Sequence, residues 1–599
     1  MQQDLETFYQ EKAEVLRKEA AALRMRTRSF VIAELVSFIA VAAFTAAYFF
    51  TDYGWTLLIV AAVIALVYLW IRSCDVRSSF RLEECEAWLG VYDGELAALY
   101  GNFSSFDDGT RYVDAKHEFT LDLDIFGDSS LYHRMNRTIT SGGSEYLAAL
   151  LSETRVPTAK DVVQRREAIK ELSAKEDVRT AFIAEGQKGH IDTAAVLQAL
   201  AAMQDVPIPA FAASRFALVL VVVMILGFYA LLLSTILGLV GAGTVMAWAL
   251  LEVLVTSLLC AHPLRKTGRV AGGIHKQLKV YSRLVEHCTA QGAMKGASAI
   301  EAFRTLEDIV ASIDRRNEFW IFLSNALFMA DVFIVRRFLA WKERYQQHIP
   351  ECIKAVSRYD ALVSLATFHF NHPEASDAEV VEANAVVFEA QALWHPFLGK
   401  KAVRNDFRLD NEHYYIITGA NMAGKSTFLR SVGINCLLAR VGLPVFAESL
   451  RLSLFALFTS MRTTDNLQHG ISYFNAELLR LQQLLQAVQN PGSGKNGSEL
   501  HTLIILDEIL KGTNSLDKLN GSRLFLETIS TLPVTGIIAT HDLELSRMAE
   551  SHPSRFHNFC FEIQLSETIT YTYHISSGVA RNQNATHLLR QLLTSANLK

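Results

Sequence analysis

The sequence is poor in charge and in cysteine. Only 20% of its 599 residues are charged, against 50% hydrophobic. That is apolar for a soluble protein of this length, and the length itself exceeds what one core can organise, so several domains are expected. No basic excess is present: 57 Lys and Arg against 62 Asp and Glu leave a formal net charge of −5. Global attraction to nucleic acid is thereby excluded, and any basic surface has to be local. Seven cysteines (Cys74, Cys85, Cys260, Cys288, Cys352, Cys436 and Cys560) lie scattered with no C-x-x-C. They give neither a zinc site nor a disulfide framework, and they fit a reducing compartment. The N-terminus carries Glu6, Glu11, Lys12, Glu14, Arg17 and Lys18, which does not read as a cleavable signal peptide.

Long apolar runs are present. Residues 1–28 read as an amphipathic helix, with Leu5, Phe8, Tyr9, Leu16 and Leu23 at helical spacing. Phe30 to Phe50 then holds one charge, Glu34, and Trp55 to Ile71 holds none. Residues 29–72 are expected to be a transmembrane hairpin. A second pair occupies 211–262, where Phe216 to Leu251 is free of charge and broken at Gly238, Gly241 and Gly243. Uninterrupted apolarity on every face argues against two hairpins buried in a soluble core. Glu34 and Glu252 are each costly in lipid. They are either a relay inside the bundle or residues hydrogen-bonded to a neighbour, and the second reading is favoured.

Residues 73–118 read as a helical connector, and 119–210 and 263–370 as mainly helical. Ser141 and Ser144 are candidate caps for a helix carrying Leu147 and Leu151, and Val163 starts another. Phe319 to Ala330 is a further apolar run, too short to span comfortably, and a buried core helix is the preferred reading. Residues 371–385 look like a linker. The rest of 371–599 alternates strand and helix signals, as an α/β nucleotide-binding domain does.

Within that region a β-rich run ends in Gly419-Ala420-Asn421-Met422-Ala423-Gly424-Lys425-Ser426-Thr427, and an apolar-periodic segment follows. This is G-x-x-x-x-G-K-[ST] between a strand and a helix. Backbone N–H groups of 420–426 would converge on a β-phosphate, and Gly419 and Gly424 allow the close approach. Lys425 would reach the β/γ oxygens and Ser426 would ligate Mg²⁺. The strand His501 to Asp507 ends in Asp507-Glu508, the Walker B position of a P-loop protein. Asp507 would hold Mg²⁺, and Glu508 would polarise the attacking water. A third strand ends in His541, a candidate γ-phosphate sensor.

With these motifs in place the chain resembles the MutS family of DNA mismatch-repair ATPases. Thr418 to Thr427 resembles that family's T-G-P-N-M-x-G-K-S-T, with Ala420 and Ala423 in place of Pro and Gly. Asp507-Glu508-Ile509, Gly512-Thr513 and Asp517 resemble D-E-x-x-x-G-T-x-x-x-D, with Leu510-Lys511 for Gly-Arg. Ala539-Thr540-His541 is similar to A-T-H, and His395-Pro396 to the H-P that opens the ATPase domain. Gly470-Ile471-Ser472-Tyr473-Phe474 stands where the family has G-R-S-T-F, which implies that Ser472 meets the γ-phosphate held by the other subunit of a homodimer. Residues 403–405 would line the adenine site. The core and lever region of the family is similar to 119–210 and 263–370.

The expected architecture is an α/β P-loop ATPase domain, ABC-like and of MutS type, at the C-terminus. An all-α core and lever region carrying two transmembrane hairpins precedes it. Other family features are not matched. F-x-E occurs only at Phe446-Ala447-Glu448 and Phe525-Leu526-Glu527, which excludes it as a mismatch wedge, and a hairpin stands where the mismatch-reading domain would be. The family's S-Y-G appears as Asn582-Gln583-Asn584, and no nuclease extension is expected. The resemblance implies an ATP- and Mg²⁺-dependent dimeric clamp acting on duplex DNA, here anchored in the inner membrane with its ATPase domain in the cytosol. An ATPase that remodels a protein or lipid partner is the alternative. An ABC-type transporter is disfavoured, because L-S-G-G-Q is absent and four spans make a poor translocation path.

Overall fold

The computed structural model describes residues 2–50, 54–187, 189, 191–294, 297–314, 318–462, 473–489, 501–565 and 569–581. Its first two helices, Gln2–Phe50 and Trp55–Leu99, have 49 and 45 residues. At 1.5 Å per residue each is about 70 Å long, more than twice a bilayer's hydrocarbon core. Neither helix breaks near residue 28 or 72. The expected amphipathic helix, hairpin and connector are therefore two continuous helices whose composition changes part-way. In the charged half, Leu5, Tyr9 and Ala13 are buried, as are Cys85 and Tyr92 opposite. Arg24 pairs with Glu86 at 2.6 Å. In the apolar half, Val31, Leu35, Phe38, Leu66 and Trp70 are all more than half exposed.

The second pair is Arg215–Ile236 and Ala242–Ala271, joined through Gly238 at φ +75°. Among the described residues, four helices are thus long and apolar enough to cross a membrane by length and composition, or up to five spans if one bent pair counts as one. That pair runs from Phe319 to Tyr345 and bends by 87° at Met329, whose φ is +46°. Its first helix sets Ala326 against Phe228 and Ala249 of the second hairpin. Phe319 and Trp320 stay exposed. The expectation of a buried core helix is corrected here: Asn325 and Ala326 are buried while Phe319, Trp320, Phe322 and Phe328 are exposed, so only one face of the run packs. Both glutamates in the apolar runs have partners. Glu34 lies 3.4 Å from Arg72, and Glu252 accepts a hydrogen bond from Trp248 at 3.0 Å.

Helices from Leu131 to Asn371 form the middle of the molecule. Asp360, fully buried on the helix Ile349–Asn371, accepts hydrogen bonds from the Ile139 and Thr140 N–H groups and the Thr140 hydroxyl. A Cβ on Gly143 would stand 2.1 Å from its carboxylate, so the close approach requires glycine. Thr140, not Ser141 or Ser144, caps the helix Ser141–Leu151 by accepting from the Gly143 N–H. Ser141 instead accepts from the Thr193 N–H, and the Ser144 hydroxyl bonds Thr138. The next helix starts at Ala159, four residues before Val163, because Thr158 and Asp161 make a capping box there.

The C-terminal region holds two sheets. The strands are β1 Glu379–Val381, β2 Phe388–Leu393, β3 Asn405–Leu409, β4 Tyr414–Gly419, β5 Ser449–Ser453, β6 Ala456–Ser460, β7 Thr502–Asp507, β8 Val534–Thr540, β9 Phe556–Leu565 and β10 Ile569–Ser577. A small sheet runs β1-β5-β2-β3, so β1 falls inside the stretch read as a linker. The main sheet runs β10-β9-β4-β8-β7-β6, parallel except at the β10 edge. β4, β7 and β8 read as continuous apolar runs because helices cover both faces. The helix Lys425–Val441 shares a core with the 119–151 segment, where Leu123, Ile125 and Leu131 meet Leu429 and Val432.

Candidate functional site

β4, β8 and β7 are neighbours, and their register aligns Thr418 with Thr540 and Asp507 with Ala539. The three segments singled out in the sequence therefore emerge side by side at the carboxyl ends of parallel strands, where open α/β sheets bind ligands. Gly419 lies at φ +156°, and a Cβ there would stand 3.0 Å from the Phe561 carbonyl oxygen. Gly424 lies at φ +107° against the Tyr573 ring. Met422, Glu508 and Leu510 also adopt positive φ. Such non-glycine strain costs of order 1–3 kcal/mol each and concentrates at functional edges.

Lys425 opens the helix behind the loop. Its Nζ donates to the carbonyl oxygens of Gly419 (2.8 Å) and Ala420 (3.0 Å), and faces both ring nitrogens of His541 at 3.4 Å. Burial pushes its pKa down to about 8, against the pull of Asp507 and Glu508. His541 is also lowered, first by burial and then by the Lys425 charge. The Ser426 hydroxyl donates to Asp507 Oδ2 at 2.5 Å. The Glu508 carboxylate lies 3.7 Å from His541 Nε2 and 3.6 Å from Lys518 Nζ. Gly419, Lys425, Ser426, Asp507, Glu508 and His541 are thus drawn into one cluster. Ser472 and the Asn582 to Asn584 stretch lie outside the described residues. Asn405, placed by resemblance near an adenine, bonds through its side chain to the Tyr573 carbonyl oxygen and the Ile575 N–H.

Several contacts at this edge escape a reading by motif. Lys518 is one turn into the helix Ser515–Ile529, and only the fold brings it to Glu508. Gly512 packs against the Phe474 backbone, where a Cβ would be 3.0 Å away, and its N–H donates to Glu477. Asp122 accepts from the Thr459 hydroxyl and the Arg462 N–H at 2.7 Å each, while Arg430 pairs with Asp124 at 3.3 Å. These bonds clamp the 119–124 segment to the C-terminal domain. The doubled L-D-L-D run was a usable signal for them.

The fold and edge geometry define an α/β domain with a glycine-bounded loop, an acidic pair and a histidine at adjacent strand ends. Comparison with known proteins points to the MutS family. The family model described as MutS domain V matches residues 415–591. The chain is 31% identical over 222 residues to the DNA mismatch repair protein MutS of Staphylococcus aureus, in strains JH9 and Newman among others. That match covers 35% of this chain and 24% of the relative, so the chain spans about a quarter of the length of the curated relatives it matches.

Proposed function

We propose that this chain is a membrane-anchored, Mg²⁺-dependent ATPase of MutS type that closes as a homodimer on ATP and reopens on hydrolysis. The observation that carries the reading is the alignment of Gly419–Thr427, Asp507-Glu508 and His541 on three adjacent strand ends, within the stretch similar to MutS domain V. Backbone N–H groups of 420–426 bind the β-phosphate, and Lys425 exchanges its two loop carbonyls for β/γ oxygens. Ser426 and Asp507 already stand together as a hard oxygen pair, which fits Mg²⁺ completed by phosphate and water. Held by Ser426 and Asp507, Mg²⁺ would supply positive charge beside the transferring phosphoryl group. Glu508 takes the proton of the attacking water, His541 meets the γ-phosphate, and Ser472 reaches the phosphate of the opposite subunit. ATP turnover of the purified chain, with and without duplex DNA, tests the reading; no turnover with Mg²⁺ present overturns it.

A shared site has a direct consequence. Neither Ser472→Ala nor Lys425→Ala homodimers should turn over ATP well, whereas mixed chains should recover one intact composite site per heterodimer. Heterodimers that form without recovered turnover would refute action in trans.

The four apolar helices anchor the chain in the inner, cytoplasmic membrane. Positive residues flank the outer ends of both hairpins and neither turn carries any, which puts residues 1–28, 73–215 and 262–599 in the cytosol. Cysteines placed at Asp52 and Gly241 should react with an impermeant thiol reagent in intact cells. Protection until lysis would invert the topology or remove the spans.

Duplex DNA is the weaker part of the proposal. Reading a mismatch takes an apolar wedge at a base step, and no residue of this chain is assigned to one. Backbone binding would rest on Arg265, Lys266, Arg269, Lys276, Lys279 and Arg283. Of these, Lys266 donates to the Asp205 carbonyl oxygen and Arg283 pairs with Glu185 at 3.1 Å. Lys279 stands over Phe80 of the first hairpin, at 5.7 Å. Basic residues beside membrane helices favour anionic lipid headgroups, which supports a second reading, remodelling of a protein or lipid partner. DNA binding is expected to be weak, steeply salt-dependent and indifferent to mismatches. Competition binding in nanodiscs across a salt series checks this; a preference of about tenfold for mismatched duplex, the scale of ordinary single-base discrimination, would contradict it.

A further inference from the structure

A cavity of about 560 Å³ opens where three parts of the chain meet. The foot of the first hairpin contributes Leu5 and Ala98, the core segment Arg134 and Met135, and the C-terminal domain Trp394 and Arg404. None of residues 419–427 lines it. Its size is that of a small-molecule site, and its wall mixes the aromatic rings of Phe103, Phe368, Trp394 and Phe397 with charged side chains.

The charges in it are unevenly satisfied. Arg137 is neutralised by buried Glu95, and His372 lies 3.0 Å from Glu374. Arg404 covers Trp394 at 4.5 Å and extends to Glu448 at 2.8 Å on the exposed rim. Arg134 is different. Its guanidinium is held between the rings of Phe103 and Phe397, at 4.9 and 4.4 Å, and its Nε donates to the Ser129 carbonyl oxygen at 3.1 Å. Among the described residues no carboxylate makes an ion pair with it. Burial also lowers its pKa from the usual guanidinium value, with Asp128 the opposing charge. A half-buried cation without a carboxylate partner carries a desolvation cost that an entering anion offsets. The rings that fix the cation also offer flat faces beside it.

We propose that this cavity binds a small planar aromatic ligand carrying a phosphate or carboxylate, of mononucleotide size. The ring lies against the half-buried Phe397 and the anion meets Arg134. Because the walls come from the hairpin foot, the core and the C-terminal domain, the ligand ties the three together. No residue of the phosphate loop lines the site, although Arg404 belongs to the stretch placed by resemblance near the adenine.

The test uses the purified full chain in nanodiscs, as wild type and as Lys425→Ala, titrated calorimetrically with AMP, GMP, adenosine and inorganic phosphate. At least one nucleotide should bind one per chain, with adenosine and phosphate each weaker by about tenfold or more, the worth of one charge-assisted bond. Arg134→Gln should weaken nucleotide binding by about tenfold. Ala98→Trp removes no polar group and fills the cavity, so it should abolish binding while thermal unfolding stays close to wild type. Failure of both nucleotides to bind overturns the proposal. So does nucleotide affinity unchanged in both cavity variants, or binding lost in Lys425→Ala, which would place the nucleotide on the phosphate loop. Equal affinity for adenosine and AMP would remove the role given to Arg134.

Discussion

Glu508→Gln is expected to bind ATP as wild type does and to hydrolyse it at least about a hundredfold more slowly, the usual worth of a general base. The carboxylate stands at the carboxyl end of β7, 3.7 Å from His541 and 3.6 Å from Lys518. An amide there keeps the shape and the N–H of residue 508, which donates to the Ala539 carbonyl oxygen at 2.9 Å. It cannot accept a proton from water. Lys425→Ala should fail differently, because it removes the cation that meets the phosphates, so binding itself should suffer. Filter binding of labelled ATP alongside single-turnover hydrolysis separates the two. Wild-type hydrolysis in Glu508→Gln would assign the base elsewhere. Equal ATP binding in Lys425→Ala would take Lys425 out of the phosphate site.

The cluster was legible because local rules fix it. G-x-x-x-x-G-K-S needs a strand before and a helix after, and β4 and the helix Lys425–Val441 supply both. The aligned ends of β7 and β8 follow from parallel pairing of two apolar runs. Contacts between distant segments were not legible in the same way. Lys518 reads as an ordinary helix lysine until its helix packs near Glu508. The apolar run at 319–328 reads as a buried core helix, but periodicity alone does not say what covers an apolar helix. The helix boundaries at residues 28 and 72 were misplaced for a related reason. Composition changes there, but no glycine, proline or cap interrupts the backbone hydrogen bonding.

Glu95→Gln is expected to destabilise the docking of the first hairpin by about 3–5 kcal/mol, the usual consequence of stranding one member of a buried ion pair. Glu95 is 2% exposed and Arg137 5%. The carboxylate receives Arg137 Nε at 2.5 Å and Nη2 at 3.2 Å, and the Asn371 amide donates to Oε2 at 2.8 Å. Asn371 in turn accepts from the Tyr9 hydroxyl at 2.7 Å. One carboxylate therefore joins the second hairpin helix, the core segment and the end of the core helix Ile349–Asn371, and Asn371 extends the bridge to the first hairpin helix. A glutamine side chain in place of Glu95 would turn an amide donor toward donors on Arg137 and Asn371 and leave the guanidinium charge buried without a counter-charge. Limited proteolysis should then cut near residues 100–110 much faster than in wild type, and thermal unfolding in nanodiscs should begin earlier. The double variant Glu95→Met with Arg137→Met removes both charges and should recover most of the loss. Unfolding and cleavage of Glu95→Gln indistinguishable from wild type would show that packing of Leu5, Tyr9 and Tyr92, not the ion pair, holds the hairpin foot in place.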